Sequence, residues 1–284
     1  MKKQYTEVKK LVLSLGAFFL FLNSAFAEIT TIVPNSYVPG NASVSYVNAW
    51  LPFHNPAALA HEKVGAIQLQ YDNRYITKEL NTALVSGCYS TKYVNIGASF
   101  SYFGYSVYNE MLTALTFART FGDRFSLGIE FNYYTVFFSP TERYRGTFTA
   151  NIGLQAKVID NFYISFAAFN PVFSKIKTEF LDKSLPVVFS LGTLYQITDQ
   201  VDWLVQIDKE VKSPLRWATG VEYRPFKEFI VNAGVYGSNY AVPTLGVGFH
   251  FSGFEFRLNT EYHTRLGLSA LGALRYTFQS QKRK

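Results

Sequence analysis

Residues 124 to 138 read RFSLGIEFNYYTVFF. Phe125, Leu127, Ile129, Phe131, Tyr133, Thr135 and Phe137 share one side of a period of two, and Ser126, Gly128, Glu130, Asn132 and Tyr134 share the other. Successive side chains of an extended chain point to opposite faces, so this is a strand. It is longer than the ~5 to 6 residues usual in soluble sheets, and its second face carries a carboxylate at its centre. A sandwich strand would turn that polar face to water. A membrane barrel turns the apolar face to lipid and the polar one to the lumen.

The neighbouring sequence decides between them. From Lys63 onward the alternation is nearly continuous and predicts fourteen strands, near residues 63–71, 80–89, 93–103, 111–121, 124–138, 147–158, 162–169, 185–197, 201–209, 215–224, 228–236, 244–251, 254–262 and 266–278. Connections after even-numbered strands are short, such as Gly122-Asp123 and Ser252-Gly253, whereas those after odd-numbered strands are mostly longer, such as Asn170 to Ser184. That alternation is the mark of an up-and-down barrel with tight turns at one rim and long loops at the other. A Greek-key sandwich would scatter its long connections. The fold expected is therefore all-β, a transmembrane up-and-down barrel of about fourteen antiparallel strands over residues 63–278.

The ends and the composition fit a barrel in an outer membrane. Lys2, Lys3, Lys9 and Lys10 precede an apolar run, Leu11 to Leu22, and Ser24-Ala25-Phe26-Ala27, so residues 1–27 read as a signal peptide cleaved near Ala27. Aromatic residues make up 18% of the chain and charged residues only 17%, against about 25% charged in a typical soluble domain, yet no later run is long enough for a membrane helix. The leader holds +3 of the formal +7 charge, and Lys282, Arg283 and Lys284 supply most of the remainder. The body is thus near neutral, with a basic tail at 279–284, and gives no reason to expect a nucleic-acid partner. After the leader Cys88 is the one cysteine, and His54, His61, His250 and His263 show no zinc spacing, so neither an internal disulfide nor a metal is expected.

Residues 28–62 do not alternate. Pro34, Pro39, Gly40 and Pro52 make them irregular, and Asn55-Pro56-Ala57 reads as a short helix opened by an asparagine cap with proline at its first position. This segment would be either a plug in the lumen or a periplasmic arm.

Asn55-Pro56-Ala57, the run Phe117 to Gly128, Gly220-Val221-Glu222-Tyr223, Asn232-Ala233-Gly234 and the ending Leu266 to Phe278 together resemble the FadL-like superfamily of outer-membrane barrels, and most closely its short PorV/PorQ-like branch. The resemblance implies that Asn55, Pro56 and Ala57 belong to a lumenal plug, and that the barrel either passes a hydrophobic, fatty-acid-like molecule or docks secreted proteins or secretion machinery. A structural or surface-binding barrel is the third reading. Six residues, Gln279 to Lys284, extend beyond the final aromatic.

Glu130, Asn132, Lys157, Glu222, Arg257 and Glu261 fall at positions expected to face the lumen, where paired charges serve structure more often than substrate binding. In the long connection after the seventh strand, Phe173, Ile176, Phe180 and Leu181 stand among charged residues, a pattern suited to capturing an apolar ligand or docking a protein. No Gly-x-Ser-x-Gly elbow, His-Glu-x-x-His or glycine-rich phosphate loop is present, so neither catalysis nor a cofactor is expected. The expected partners are outer-membrane lipid and either a hydrophobic ligand or a secretion partner.

Overall fold

The computed structural model describes residues 32–138, 144–177 and 182–278. Its strands are β1 (Ala66–Asn73), β2 (Asn81–Ser90), β3 (Asn95–Gly104), β4 (Tyr108–Phe121), β5 (Phe125–Phe138), β6 (Arg145–Ile159), β7 (Phe162–Phe169), β8 (Lys175–Lys177), β9 (Asp182–Ser184), β10 (Val188–Thr198), β11 (Val201–Glu210), β12 (Leu215–Phe226), β13 (Phe229–Gly237), β14 (Ala241–Phe251), β15 (Phe254–His263) and β16 (Gly267–Thr277). All but β8 and β9 form one closed antiparallel barrel of fourteen strands, in which β1 pairs with both β2 and β16. Closure leaves no strand edge, so every backbone donor within the wall can meet a partner without water. Among the described residues no helix is long and apolar enough to cross a membrane.

The period-two pattern fixes which face each residue presents. In β5, Ile129 is 37% and Phe131 56% exposed, while Glu130 between them is 0% exposed. Register carries this around the wall: Glu130 lies opposite Thr116 and Asn151, and Ile129 opposite Phe117 and Ile152. The outward surface is consequently covered by large apolar side chains, among them Leu69, Leu115, Phe148, Leu191, Leu245 and Leu258. Aromatics crowd the short-turn rim at Tyr89, Tyr93, Phe121, Phe226 and Phe251. An apolar belt edged by aromatics around a closed barrel is the surface that spans a bilayer.

The core sits inside the ring rather than between layers. Residues 32–62 touch strands on opposite sides of the barrel: Leu59 and Glu62 meet Asn95 on β3, Val44 meets Gln206 on β11, and Gly40 meets Thr244 on β14. Ile32 and Phe53 pack with Leu84, Phe103 and Leu112. Tyr37, Val38 and Leu51 pack with Leu194 and Leu204. A lumen lined only by polar side chains would leave these apolar ones without cover.

Candidate functional site

Two turns of the N-terminal segment rest on glycine pairs in the wall. Pro56–His61 is a 3-10 helix whose first turn is capped by the Asn55 side chain, accepting from the Ala57 amide at 2.9 Å. That turn lies against Gly128 and Gly153, which are opposite one another on β5 and β6. A Cβ at Gly128 would overlap the Pro56 and Ala57 backbone, and one at Gly153 would overlap the Asn55 side chain. Pro39–Asn41 repeats the arrangement against Gly220 and Gly234, opposite one another on β12 and β13, with Gly40 at φ 62°. Backbone approaches backbone this closely only where the wall lacks side chains.

Toward the short-turn end, inward charges form a ladder. Arg224 pairs with Asp202 at 2.8 Å and with Glu222 at 2.7 Å; Arg257 pairs with Glu222 at 3.0 Å and with Glu255 at 2.6 Å. Arg257 thus reaches from β15 to β12, past the two strands between. The N-terminal segment is tied into this ladder, because Arg257 donates to the Tyr46 hydroxyl at 3.1 Å and Tyr46 donates to Glu222 at 3.2 Å. Arg275 binds Glu62 at 2.6 Å, and Glu62 also accepts from the Trp50 amide at 2.7 Å. Buried charges of this kind hold position when fully paired and are costly when one partner is removed.

The other inward candidates have separate surroundings. Glu130 accepts from Thr116 at 2.8 Å and Asn151 at 2.7 Å, and Asn132 is 1% exposed on the same face. Glu261 accepts from Asn35 at 2.6 Å and Tyr236 at 2.8 Å near the long-loop end. Lys157 stands apart from them. A bulge between Lys157 and Ile159 shifts the register of β6 against β7 there, and the Lys157 ammonium pairs with exposed Asp160 at 3.0 Å at the rim rather than within the lumen.

Beneath the long loops lies a cavity of about 130 Å³. Val33, Phe53, Phe169 and Pro214 supply apolar wall, and His54, Asp208 and Arg216 supply polar wall. His54 shares a 2.7 Å hydrogen bond with Ser43, and burial pushes its imidazole down to about 4, against the opposing pull of its hydrogen bond to the Pro34 carbonyl. Asp208 accepts from Ser190 at 2.5 Å, from Gln206 at 2.7 Å and from Arg216.

The loop expected to present four apolar residues behaves differently. Ile176 is 3% exposed and packs with Phe53 and Leu112, because β8 and β9 pair and fold the loop back over the barrel mouth. Ile176 is therefore part of the core and cannot serve as a docking residue. Phe173 is 55% exposed, and Phe180 and Leu181 lie outside the described residues. Tyr46, Arg224, Arg275, His54 and Arg216 were not singled out by sequence. Arg216 shares the inward side of its strand with Ala218 and Glu222, so its parity was readable. Its partners in the irregular segment were not. Among the described residues no cluster of three or more His, Cys, Asp or Glu is placed to hold a metal.

No protein-family profile matches the chain, and no curated protein matches it by sequence. Solved structures do. The Pseudomonas putida toluene transporter TodX aligns over 88% of this chain and 100% of its own, with TM-score 0.69 and 10% identity. A Pseudomonas aeruginosa FadL homologue aligns over 91% and 100%, with TM-score 0.55 and 12% identity. Omp33 of Acinetobacter baumannii aligns over 76% and 99%, with TM-score 0.50 and 8% identity. At such identities the likeness is one of fold.

Proposed function

We propose that this chain is an outer-membrane barrel that passes a hydrophobic small molecule through a lumen plugged by its N-terminal segment. The observation that carries the reading is the cavity of about 130 Å³ inside the long-loop mouth, walled on one side by Phe53 and His54 of that segment. Apolar wall from Val33, Phe53, Phe169 and Pro214 set against polar groups of His54, Asp208 and Arg216 is a combination that small-molecule sites use. The fold shared with a toluene transporter and a FadL homologue supports the same reading, and nothing in it favours an enzyme. On this view Asn55, Pro56 and Ala57 close the lumen, and Glu130, Asn132, Glu222, Arg257 and Glu261 hold the plug or line the path beside it.

Uptake and partner recovery in intact cells test the proposal together. Removing residues 55 to 60 should lower selective uptake of labelled toluene and admit small polar dyes, without unfolding a barrel closed by its own strands. Removing residues 175 to 182 should not change the recovery of secreted proteins. Unchanged toluene uptake in both deletions, with loss of a secreted partner in the second, would replace passage by a docking role.

A further inference from the structure

The outer wall is not evenly covered. A furrow of about 890 Å³ crosses its lipid-facing side, between outward side chains of β13 to β16 and β1 to β3. Register sets its course. Phe229, Phe249, Phe256, Leu274, Leu69 and Val85 stand opposite one another in one row, and Leu258, Gly272, Tyr71 and Ala83 form the row beside it. Six strand spacings make the furrow roughly 29 Å long. A row at right angles to strands tilted ~35 to 45° crosses a bilayer obliquely. This one starts at Phe229, the first residue of β13 beside a tight turn, and ends at Phe100 and Tyr102 toward the long-loop end of β3.

Gly272 opens the floor. Of the described glycines within the barrel strands, it is the one at ordinary φ whose added Cβ would meet no atom within 4 Å. Neither backbone conformation nor packing within the chain requires glycine there, and a glycine inside a strand costs stability and often marks the close approach of a ligand. Apart from the Tyr71 and Tyr102 hydroxyls the furrow offers no polar side chain. Gln70 and Arg257 line it, but their side chains turn to the lumen, onto the Asn35 carbonyl and Glu222. Its occupant is therefore mainly hydrocarbon. The furrow is continuous with the apolar belt, where a space left empty forfeits contacts on both sides. A second copy meeting this face about a twofold axis would set furrow against furrow and fill neither.

Charge distinguishes the two ends. The turn before Phe229 carries Lys227 and Glu228, both exposed and neither in an ion pair or side-chain hydrogen bond among the described residues, and Phe226 beside them is 70% exposed. Tyr105-Ser106-Val107, which follows the other end, carries no charge. An adjacent cation and anion complement a headgroup that holds both a phosphate and an ammonium, whereas a phosphate alone would leave Glu228 unmatched. Tight turns of such barrels face the periplasm. We infer that the furrow seats one acyl chain of an ethanolamine phospholipid from the periplasmic leaflet, with its phosphate on Lys227, its ammonium on Glu228 and its chain over Gly272.

The test takes the full-length protein from vesicles of equal ethanolamine and glycerol phospholipids with matched acyl chains, washes it in detergent and reads retained lipid by native mass spectrometry. One ethanolamine lipid per barrel should remain, favoured about threefold over the glycerol lipid, the worth of one exposed ion pair. Glu228→Gln should remove that preference. Gly272→Leu should fill the floor and cut retention about tenfold, the worth of roughly two displaced methylenes, while the barrel still assembles because leucine suits the lipid-facing belt. Ala150→Leu, on the outward row of β6 with Phe131, should leave retention unchanged. Full retention in Gly272→Leu, as loosely held boundary lipid would give, equal retention of the two lipids by the unmodified protein, or a lipid-free dimer overturns the inference. The choice between the two lipids decides even where a variant fails to assemble.

Discussion

At the scale of single residues, what a side chain costs depends on which side of the wall it occupies. Ile129 and Asn132 stand three residues apart on β5, the first exposed outward and the second buried inward. A charge on a barrel's outer face at the bilayer midplane costs ~2 to 4 kcal/mol. Ile129→Arg should therefore impair assembly and Asn132→Asp should not, as read by heat-modifiable gel mobility. Equal tolerance of both would reverse the facing. Arg257→Met makes the converse test inside: it leaves fully buried Glu222 with Arg224 alone of its two cations and takes from Glu255 the arginine it is paired with, and should lower stability by up to roughly 3 to 5 kcal/mol. A midpoint of denaturant unfolding within error of the unmodified protein would mean that the ladder does not bear on stability. His54 gives a pH dependence. An unfolded imidazole takes up a proton near 6.5, but the buried one resists until about 4. The stability of the segment's packing is therefore whole above pH 6.5 and falls progressively between 6.5 and 4. Trp50 fluorescence, read during denaturant titration with Trp203 and Trp217 replaced by Phe, should show this loss, and His54→Gln should flatten it.

Among the elements, the strands were legible from sequence and the filling was not. β5 was readable because each side chain of 124–138 reports its own face through a local period of two, and a one-residue slip would turn every apolar group inward. The same logic placed Glu130, Glu222 and Arg257 on the inward side. Lys157 followed that parity but stands beside a bulge near the rim, where Asp160 takes up its ammonium. Ile176 misled for a different reason: an apolar residue among charges in a long connection reads as exposed, and only the pairing of β8 with β9 turns it inward. The Asn55 cap was legible because it is local, although the helix it opens is of the 3-10 type. That Gly128 and Gly153 receive it was not, since their meeting depends on contacts across some seventy to one hundred residues of chain. Gly128→Val should displace Pro56 and Ala57 while β5 keeps its pairing. A cysteine at Ala58, which is 5% exposed, should then react with maleimide in a Cys88→Ser background, and should not react where Gly128 is retained. Equal labelling in both would show that the glycine pair does not seat the turn.

The whole molecule inverts the usual arrangement of a domain. Its apolar residues cover the outside of a closed wall, and its interior is a mixed packing of charges, amides and a few aromatics held around residues 32–62. Closure is supplied by backbone pairing around all fourteen strands, so the barrel and its contents are separable: changing the segment should alter permeability before it alters the wall. This separation can be measured in vesicles with a lipopolysaccharide outer leaflet, by following toluene and a small polar dye side by side. The protein as it stands should speed toluene over protein-free vesicles and exclude the dye, and removal of residues 55 to 60 should let the dye through. Toluene crossing no faster than in protein-free vesicles would contradict passage through this barrel.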